Sequence, residues 1–230
     1  MKIALLGNPN TGKSTVFNML TGLRQQVGNF PGVTVDKKQG SIKTPNYTQQ
    51  LIDFPGAYSI FARSLDEQVV QDVLTNKQHI DFPDAVIYVA DTVNLERNLL
   101  FFSQLYDLGF PILLVLNMWD RAQRKGLRIN VELLQKQFPA AAIVTANARV
   151  AIGKDRILQA LDELPSQERT AFHDLDLTVL QTDSAQTENT NARLDKLRNL
   201  GLVQSAPTTA VNTSMRLDRI LTHRIYGYLI

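Results

Sequence analysis

The sequence predicts an α/β fold of the doubly wound class, in which a mostly parallel sheet of six strands carries helices on both faces. Short apolar runs alternate along the chain with helical patterns, as this class requires. Residues 85–90 and 111–116 are almost continuously apolar, which is typical of parallel strands covered on both faces. A glycine-rich turn joins the first apolar run to the first helical pattern, and we therefore expect the carboxyl ends of the strands to bind a ligand there.

The predicted elements follow in chain order. The first strand covers 2–6, and the first helix opens over 15–20. Strands over 39–44 and 49–54 flank a proline-asparagine turn and are interpreted as an antiparallel hairpin at the edge of the sheet. The remaining strands are predicted over 85–90, 111–116 and 140–145, and the remaining helices over 65–76, 95–108, 131–138 and 154–164.

The composition changes near Pro165, which divides the chain into two predicted domains. Residues 174–191 are polar and have no strand pattern, whereas 193–198 and 215–228 are helical in character. We therefore predict a nucleotide-binding domain over 1–165 and a small C-terminal helical domain over 166–230.

Bulk composition excludes several function classes. With 230 residues, 44% of them apolar, the chain can bury a substantial core. Its formal net charge of +2 gives little reason to expect nucleic-acid binding, and the absence of cysteine excludes disulfides and thiolate metal sites. No signal peptide is visible, and no apolar run approaches the ~20 residues of a membrane helix. Residues 225–230 are largely apolar to the end, so we expect the natural chain to continue into a hydrophobic segment.

Residues 7–14 match the phosphate-loop pattern G-x-x-x-x-G-K-[ST] at a strand-to-helix turn. The two glycines let the main chain approach phosphates, the helix N-terminus supplies positive potential, and Lys13 reaches the terminal phosphates. The Ser14 hydroxyl is a ligand for Mg²⁺. A structural glycine turn is the alternative. The nucleotide-binding residues predicted here are Gly7, Asn8, Pro9, Asn10, Thr11, Gly12, Lys13, Ser14 and Thr15.

The segment from Asn117 to Asp120 predicts guanine as the base. It follows a buried strand and resembles the N-K-x-D element of P-loop GTPases, in which the aspartate accepts hydrogen bonds from the guanine N1–H and amino group while Asn117 braces the loop. Adenine lacks those donors and would leave the carboxylate unpaired. Met118 replaces the usual lysine and keeps an apolar stem that can lie over the base. A strand-end turn with a helix-capping aspartate is the alternative. A further guanine contact is expected after the last strand, at Ala146, Asn147 and Ala148.

Two loops are predicted to sense the terminal phosphate. Asp53-Phe54-Pro55-Gly56 resembles the D-x-x-G element, with Asp53 holding Mg²⁺ through a water and the Gly56 N–H meeting the γ-phosphate. The loop over 28–35 lies where a GTPase keeps its first switch, and the Thr34 hydroxyl there is the second expected Mg²⁺ ligand. An ordinary mobile loop is the alternative for this stretch. Gly32 and Val33 complete the predicted contacts.

The catalytic group is less obvious, because Ala57 stands where related enzymes carry a water-positioning glutamine. A K⁺ ion beside the β- and γ-phosphates is one replacement, held by the Asn10 side chain and by the carbonyls of Gly28 and Phe30. Asn10 alternatively just tolerates the turn geometry of the loop. The predicted catalytic residues are Asn10, Lys13, Thr34 and Gly56.

Together these motifs indicate a Ras-like P-loop GTPase, and several longer segments resemble one family in particular, ferrous iron transport protein B of bacteria. The resemblance covers nearly the whole chain, and its most discriminating element is the run from Val27 to Val35. The segments that carry it lie at 7–10, 27–35, 53–59, 94–99, 117–120 and 217–223.

The resemblance implies a GTPase domain followed by a helical domain that favours GDP. It also implies slow, K⁺-stimulated hydrolysis coupled to Fe²⁺ passage through a membrane portion, at the cytoplasmic face of the bacterial inner membrane, with small accessory proteins as possible partners. Asn10 would then be a K⁺ ligand, Ser14 and Thr34 Mg²⁺ ligands, and Asn117 and Asp120 the guanine readers.

Two other functions stay open at this point. An RNA- or ribosome-associated assembly factor can be built on the same GTPase core, although it would need a basic RNA-reading domain that is not evident after Pro165. A nucleotide-binding regulator without useful turnover is suggested by Ala57.

Overall fold

The computed structural model describes residues 1–164 and 182–205. Its strands are β1 (Lys2–Gly7), β2 (Gln25–Asn29), β3 (Asp36–Lys43), β4 (Thr48–Asp53), β5 (Ala85–Asp91), β6 (Ile112–Asn117), β7 (Leu127–Ile129), β8 (Ala142–Thr145) and β9 (Val203–Ser205). Its α-helices are α1 (Lys13–Thr21), α2 (Leu65–Thr75), α3 (Leu95–Asp107), α4 (Trp119–Arg124), α5 (Val131–Gln137), α6 (Lys154–Glu163) and α7 (Asp183–Asn199).

The main sheet has the strand order β2-β3-β4-β1-β5-β6-β8. Strand β1 pairs in parallel with β4 and β5, and β5-β6-β8 continue in parallel, while β2, β3 and β4 pair antiparallel. The predicted doubly wound class and the antiparallel hairpin of β3 and β4 are confirmed, although β2 and not the hairpin forms the edge of the sheet. The central strands are buried on both faces, as their continuous apolar sequences require.

The predicted number of six strands is wrong, because β2 adds a seventh at the edge of the sheet. All five of its residues are exposed, and it therefore carries no apolar alternation that a sequence pattern could reveal. A ladder of glutamine side chains helps hold it: Gln50 donates to Gln39 at 3.0 Å, and Gln39 donates to Gln26 at 3.1 Å.

The core lies on the two faces of this sheet. One face is covered by α2, α3 and α5, and Phe101 and Phe102 of α3 are fully buried there. The other face is covered by α1 and α6 through residues such as Phe17 and Leu161. The two layers hold the carboxyl ends of β1, β4, β5, β6 and β8 rigidly at one edge, which positions the loops described below.

Helix α7 packs on α3 and is longer than the helix predicted at 193–198. It begins inside the polar stretch, where the Thr182 hydroxyl accepts a hydrogen bond from the Ala185 N–H at 3.3 Å and caps the first turn. Its one fully buried side chain is Leu197, so the apolar pattern was too weak to predict the whole helix. A short antiparallel ladder of β7 and β9, also not predicted, follows it.

The helix predicted at 215–228 lies outside the described residues. Within the described ranges, none of the helices combines the length and the apolar character needed to cross a bilayer.

Candidate nucleotide-binding site

The phosphate loop predicted at residues 7–14 runs from the last residue of β1 into the first turn of α1, and residues 8–12 connect these two elements. Lys13 is the first residue of the helix and Ser14 the second. No side chain caps this helix, so its first main-chain N–H groups remain suited to an anion. The loop, the lysine and the helix N-terminus therefore form the phosphate cradle that the motif predicts.

Two glycines of the motif are required by close packing. A Cβ atom at Gly7 would lie 2.4 Å from the Val89 oxygen, and one at Gly12 would lie 2.5 Å from Asn117 Nδ2. Gly12 and Asn10 also have positive φ angles of 82° and 66°. Side chains at either glycine would push the phosphate loop away from β5 or from the end of β6.

Asn117, the last residue of β6, joins two loops that are distant in sequence. Its Nδ2 donates to the Thr11 carbonyl at 2.9 Å, and its Oδ1 accepts from the Ala148 N–H at 3.0 Å. The side chain is buried, so both hydrogen bonds are sheltered from water. The predicted bracing role of Asn117 thus has a concrete geometry, in which the phosphate loop and the loop after β8 meet at one side chain.

Asp120 lies in the first turn of α4, and its carboxylate pairs with Arg124 at 2.5 Å on the exposed side of the helix. Met118 precedes the helix with a positive φ of 59°, and its terminal methyl group lies 3.4 Å from the Cβ position of Gly12. The Met118 side chain therefore lies beside the phosphate loop at Gly12, and its contact with the base stays a prediction. Trp119, by contrast, packs against the core.

The loop after β8 places Ala146, Asn147 and Ala148 beside the end of β6. The Ala146 carbonyl accepts from the Trp119 N–H at 3.2 Å, and Asn147 forms a bridge with Ile152. The Ala148 N–H donates to Asn117 in this structure, and its contact with the base stays a prediction.

Asp53 ends β4 next to the phosphate loop, where its carboxylate forms a mostly buried ion pair with Lys13. Gly56 follows, and a Cβ atom there would lie 3.0 Å from the Pro9 nitrogen. The neighbouring Ala57 N–H donates to the Gly7 carbonyl at 3.3 Å. The D-x-x-G segment therefore packs directly against the phosphate loop.

The first-switch loop is anchored at one end by Phe30. The Phe30 ring is buried, and its centroid lies 5.1 Å from that of the Phe54 ring. Gly32, Val33 and Thr34 of the same loop are exposed. A cavity of about 410 Å³ opens between the switch and the phosphate loop, and its lining includes Lys13, Thr34 and Asp53. A larger cavity of about 730 Å³ lies between α1 and the β2–β3 edge and carries none of the predicted site residues.

The donor set beside this cavity suits Mg²⁺. The hydroxyls of Ser14 and Thr34 and the carboxylate of Asp53 are the hard oxygen ligands that this ion prefers. The residues expected to hold K⁺ are of the same kind: Asn10 offers a side-chain amide, and Gly28 and Phe30 offer carbonyls at the end of β2 and just after it. The Phe30 carbonyl accepts from the Val33 N–H at 3.3 Å in this structure. The binding of Mg²⁺ by the first set of residues and of K⁺ by the second set stays a prediction.

The remaining acidic residues near the switches have structural roles. Glu67 accepts hydrogen bonds from the N–H groups of Tyr58 at 3.2 Å and Arg63 at 2.9 Å, which fixes the loop before α2. Asp66 lies in the first turn of α2, where a negative charge is favourable, and also lines the cavity beside Lys13. Among the described residues, no group of three or more His, Cys, Asp and Glu side chains could hold a metal ion.

Sequence reasoning missed several polar residues that support the site. The Thr92 hydroxyl donates to the Asn117 carbonyl at 2.6 Å, and the Tyr88 hydroxyl lies 2.7 Å from Asn8 Oδ1. Burial raises the pKa of Tyr88 well above its usual range, so the phenol stays protonated. The signal available in the sequence was a single polar group within the apolar run over 85–90.

These features define a class: the sheet topology, the phosphate loop after β1 and the guanine-reading segment after β6 are those of a Ras-like, GTP-binding P-loop domain. Comparison with known proteins then gives the family. A model of ferrous iron transport protein B matches residues 1–161, and the chain belongs to that family.

Individual relatives agree with this assignment. The Fe(2+) transporter FeoB of Helicobacter pylori is 32% identical over 230 residues, which cover 99% of this chain and 35% of that protein. The cytosolic domain of L. pneumophila FeoB has a TM-score of 0.78 at 29% identity and covers 90% of this chain and 100% of its own. An S. thermophilus NFeoB mutant bound to GDP has a TM-score of 0.65 at 28% identity, covering 87% of each chain.

The chain thus spans about a third of the length of the curated relative. The matches do not favour the alternative of an RNA-associated assembly factor.

Proposed function

We propose that this chain binds GTP and GDP with Mg²⁺, hydrolyses GTP slowly and acts as the nucleotide switch of a bacterial Fe²⁺ transporter. The observation that carries the proposal is the position of Asn117. Its side chain ties the phosphate loop to the loop after β8, across 106 and 31 residues of sequence, next to the carboxylate expected to read guanine. Phosphate recognition and base recognition are thereby held in one pocket.

Nucleotide binding would begin with an exchange of partners at Lys13. Its ammonium group is paired with Asp53, and the terminal phosphates offer it a stronger, doubly charged partner at the N-terminus of α1. Asp53 would then be free to help hold Mg²⁺ together with the hydroxyls of Ser14 and Thr34. The ion would supply positive charge that neutralises the phosphates.

Hydrolysis would transfer the γ-phosphoryl group to water. The oxygen of water bonds to the γ-phosphorus, the bond to the bridging β–γ oxygen breaks, and the products are GDP and inorganic phosphate. Lys13 and the Gly56 N–H stabilise the charge that develops on the phosphoryl oxygens. Ala57 has no group that can position the water, which supports a slow reaction.

A K⁺ ion at Asn10 would supply the positive charge that other enzymes obtain from an arginine. Asn10 has a positive φ of 66° and is exposed at the outer turn of the phosphate loop, so its side chain is accessible to a cation. K⁺-assisted hydrolysis and a nucleotide-binding regulator without turnover differ in the salt dependence of the hydrolysis rate.

The role in iron transport rests on the family. The curated relatives are Fe(2+) transporters and are about three times as long as this chain. We propose that a membrane-embedded remainder, absent from this sequence, carries Fe²⁺, and that this domain acts at the cytoplasmic face of the inner membrane, with accessory proteins as possible further partners. The helical domain predicted over 166–230 would favour the GDP state.

Calorimetry with the purified chain tests the proposal. We expect GDP and GTP to bind in the presence of Mg²⁺ with affinities that exceed those of ADP and ATP by at least about a hundredfold, because adenine leaves the Asp120 carboxylate unpaired. Equal affinities for guanine and adenine nucleotides, or no binding at millimolar concentration, would refute it.

A further inference from the structure

A buried tyrosine connects the phosphate loop to helix α3. Tyr88 lies on the central strand β5 and is fully buried, and its ring packs against Phe101 and Phe102 at centroid distances of 5.8 and 5.7 Å. Its hydroxyl lies 2.7 Å from Asn8 Oδ1 and 2.7 Å from the main-chain oxygen of Asn98. A polar group in the middle of the core is costly unless it is satisfied, so these contacts need an explanation.

The three groups fit together in one arrangement. A phenol has a single proton and cannot donate to two acceptors, while Asn8 Nδ2 is buried and has no partner. Rotating the Asn8 amide by half a turn gives Nδ2 a partner and leaves Tyr88 with a single acceptor, while Oδ1 takes the position that Nδ2 held; the two ends of an amide are interchangeable in shape. Asn8 Nδ2 then donates to the Tyr88 oxygen, and Tyr88 donates to the Asn98 carbonyl.

The far end of this chain of hydrogen bonds is fixed. Asn98 Nδ2 donates to the Asn94 carbonyl at 2.8 Å, and Asn98 Oδ1 accepts from the Asp91 N–H at 3.3 Å. Asn94 Nδ2 in turn donates to Asp91 Oδ2 at 2.7 Å. The asparagines of the segment 94–99 therefore lock the start of α3 to the end of β5, and the Asn98 carbonyl cannot move away from Tyr88.

The other end of this chain of hydrogen bonds lies in the phosphate loop. The Asn8 carbonyl accepts from the Thr11 hydroxyl at 2.9 Å, and the Thr11 carbonyl accepts from Asn117 at 2.9 Å. A continuous series of hydrogen bonds thus runs from α3 through Tyr88 and the loop to the guanine-reading strand. Any loosening at Tyr88 would let the first half of the loop shift, and with it the N–H groups that face the phosphates.

We propose that Tyr88 is a positioning residue for nucleotide binding, which acts through the Asn8 side chain to hold the phosphate loop in its binding shape. The inference rests on the proposed GTP binding. It assigns the asparagine-rich segment at the start of α3 to the support of the phosphate loop, although none of its residues was predicted to touch the nucleotide.

The test is a hydroxyl deletion, Tyr88→Phe, which keeps the ring and its packing. The change removes two buried hydrogen bonds, one from Asn8 and one to Asn98, and the loss of the Asn8 contact should weaken binding of both GDP and GTP about fivefold, through faster dissociation. Because ground state and transition state lose the same contact, KM for GTP should rise while kcat stays unchanged.

Tyr106→Phe is the matched control. That hydroxyl accepts from the Ala140 N–H at 3.2 Å, at the other end of α3 and away from the phosphate loop. Both variants should lower the melting temperature, but only Tyr88→Phe should change nucleotide affinity when measured well below it. An unchanged affinity for Tyr88→Phe, with wild-type protein that binds GDP, would reject the positioning role alone. Failure of the wild-type protein to bind GDP would reject the proposed function as well.

A double-mutant cycle tests the path through Asn8. In an Asn8→Ala background, Tyr88→Phe should cause no further loss of GDP affinity, whereas additive losses would contradict the proposed path. If Tyr88→Phe does not fold, the wild-type protein still decides the question by NMR. The Asn8 side-chain amide protons should exchange with solvent much more slowly than those of the exposed Asn191, and equal rates would overturn the inference.

Discussion

At the scale of single residues, the site divides into groups that a motif predicts and groups that only the fold brings together. Lys13, Asp53 and Asn117 belong to short patterns with a fixed chemical purpose, and each lies where its pattern requires. Tyr88 and Thr92 support the same loops from positions 80 and 25 residues away from their partners. A local sequence pattern contains no information on contacts between residues so far apart in the chain, so the roles of these residues could not be predicted.

Asp120 should set the choice of base. Asp120→Asn replaces an acceptor by a side chain that also donates, so it should weaken GDP binding by more than about tenfold and improve binding of xanthosine diphosphate, which has a carbonyl in place of the guanine amino group. Competition with a fluorescent nucleotide measures both affinities. Asp72→Asn, an exposed change on α2, is the control and should alter neither.

Asn10 should set the response to K⁺. Single-turnover hydrolysis of GTP should be faster in KCl than in NaCl by at least about tenfold, because a bound cation stabilises the charge on the transferred phosphoryl group. Asn10→Ala should remove this difference, and the control Asn46→Ala in the β3–β4 turn should retain it. A rate that is equal in the two salts would leave the domain as a nucleotide-binding regulator without K⁺-assisted turnover.

At the scale of elements, the accuracy of prediction follows burial. Strands β5 and β6 are covered on both faces, and their apolar runs predict them directly. Strand β2 is exposed at every residue and has no such pattern, so it was not predicted. Helix α7 was predicted only in part, since it attaches to α3 by polar contacts and by few apolar side chains. The functional loops were predictable because they follow the strands that the sequence marks most clearly.

The attachment of α7 depends on an ion pair between Arg193 and Asp107. The side chains are 13% and 10% exposed, so removal of one partner leaves a charge largely shielded from water. Arg193→Met should therefore destabilise the protein by about 3 kcal/mol in urea unfolding, and amides of α7 should exchange faster.

Arg198→Met on the same helix is the control for that change. The Arg198 guanidinium lies 3.7 Å from the Asp195 carboxylate, and the two side chains are 63% and 70% exposed. The free energy of unfolding of this variant should therefore fall by less than about 0.5 kcal/mol. Equal effects of the two variants would show that the buried pair does not hold the helix.

At the scale of the whole molecule, nucleotide binding should stabilise the fold, because its pocket draws on loops from β1, β4, β6 and β8. With GDP and Mg²⁺ at a hundred times Kd, the gain is about 2.7 kcal/mol, which corresponds to a rise in melting temperature of about 5–10 °C. Differential scanning fluorimetry measures it.

Lys13→Ala provides the comparison for that rise. Its melting temperature without nucleotide should be compared with its own value in GDP and Mg²⁺, and we expect little difference between them. A full shift in the variant would mean that GDP stabilises the protein without the phosphate loop.

The ion pair between Lys13 and Asp53 also links two ligands of the whole protein. As long as the ammonium group is bound to the carboxylate, neither is free for its proposed partner. In the proposed function, phosphate that draws Lys13 away would also free the oxygen suited to the metal, and metal bound at Asp53 would release the lysine. Nucleotide and Mg²⁺ would therefore be heterotropic effectors of each other, and thermodynamic reciprocity would require each to tighten the other by the same factor.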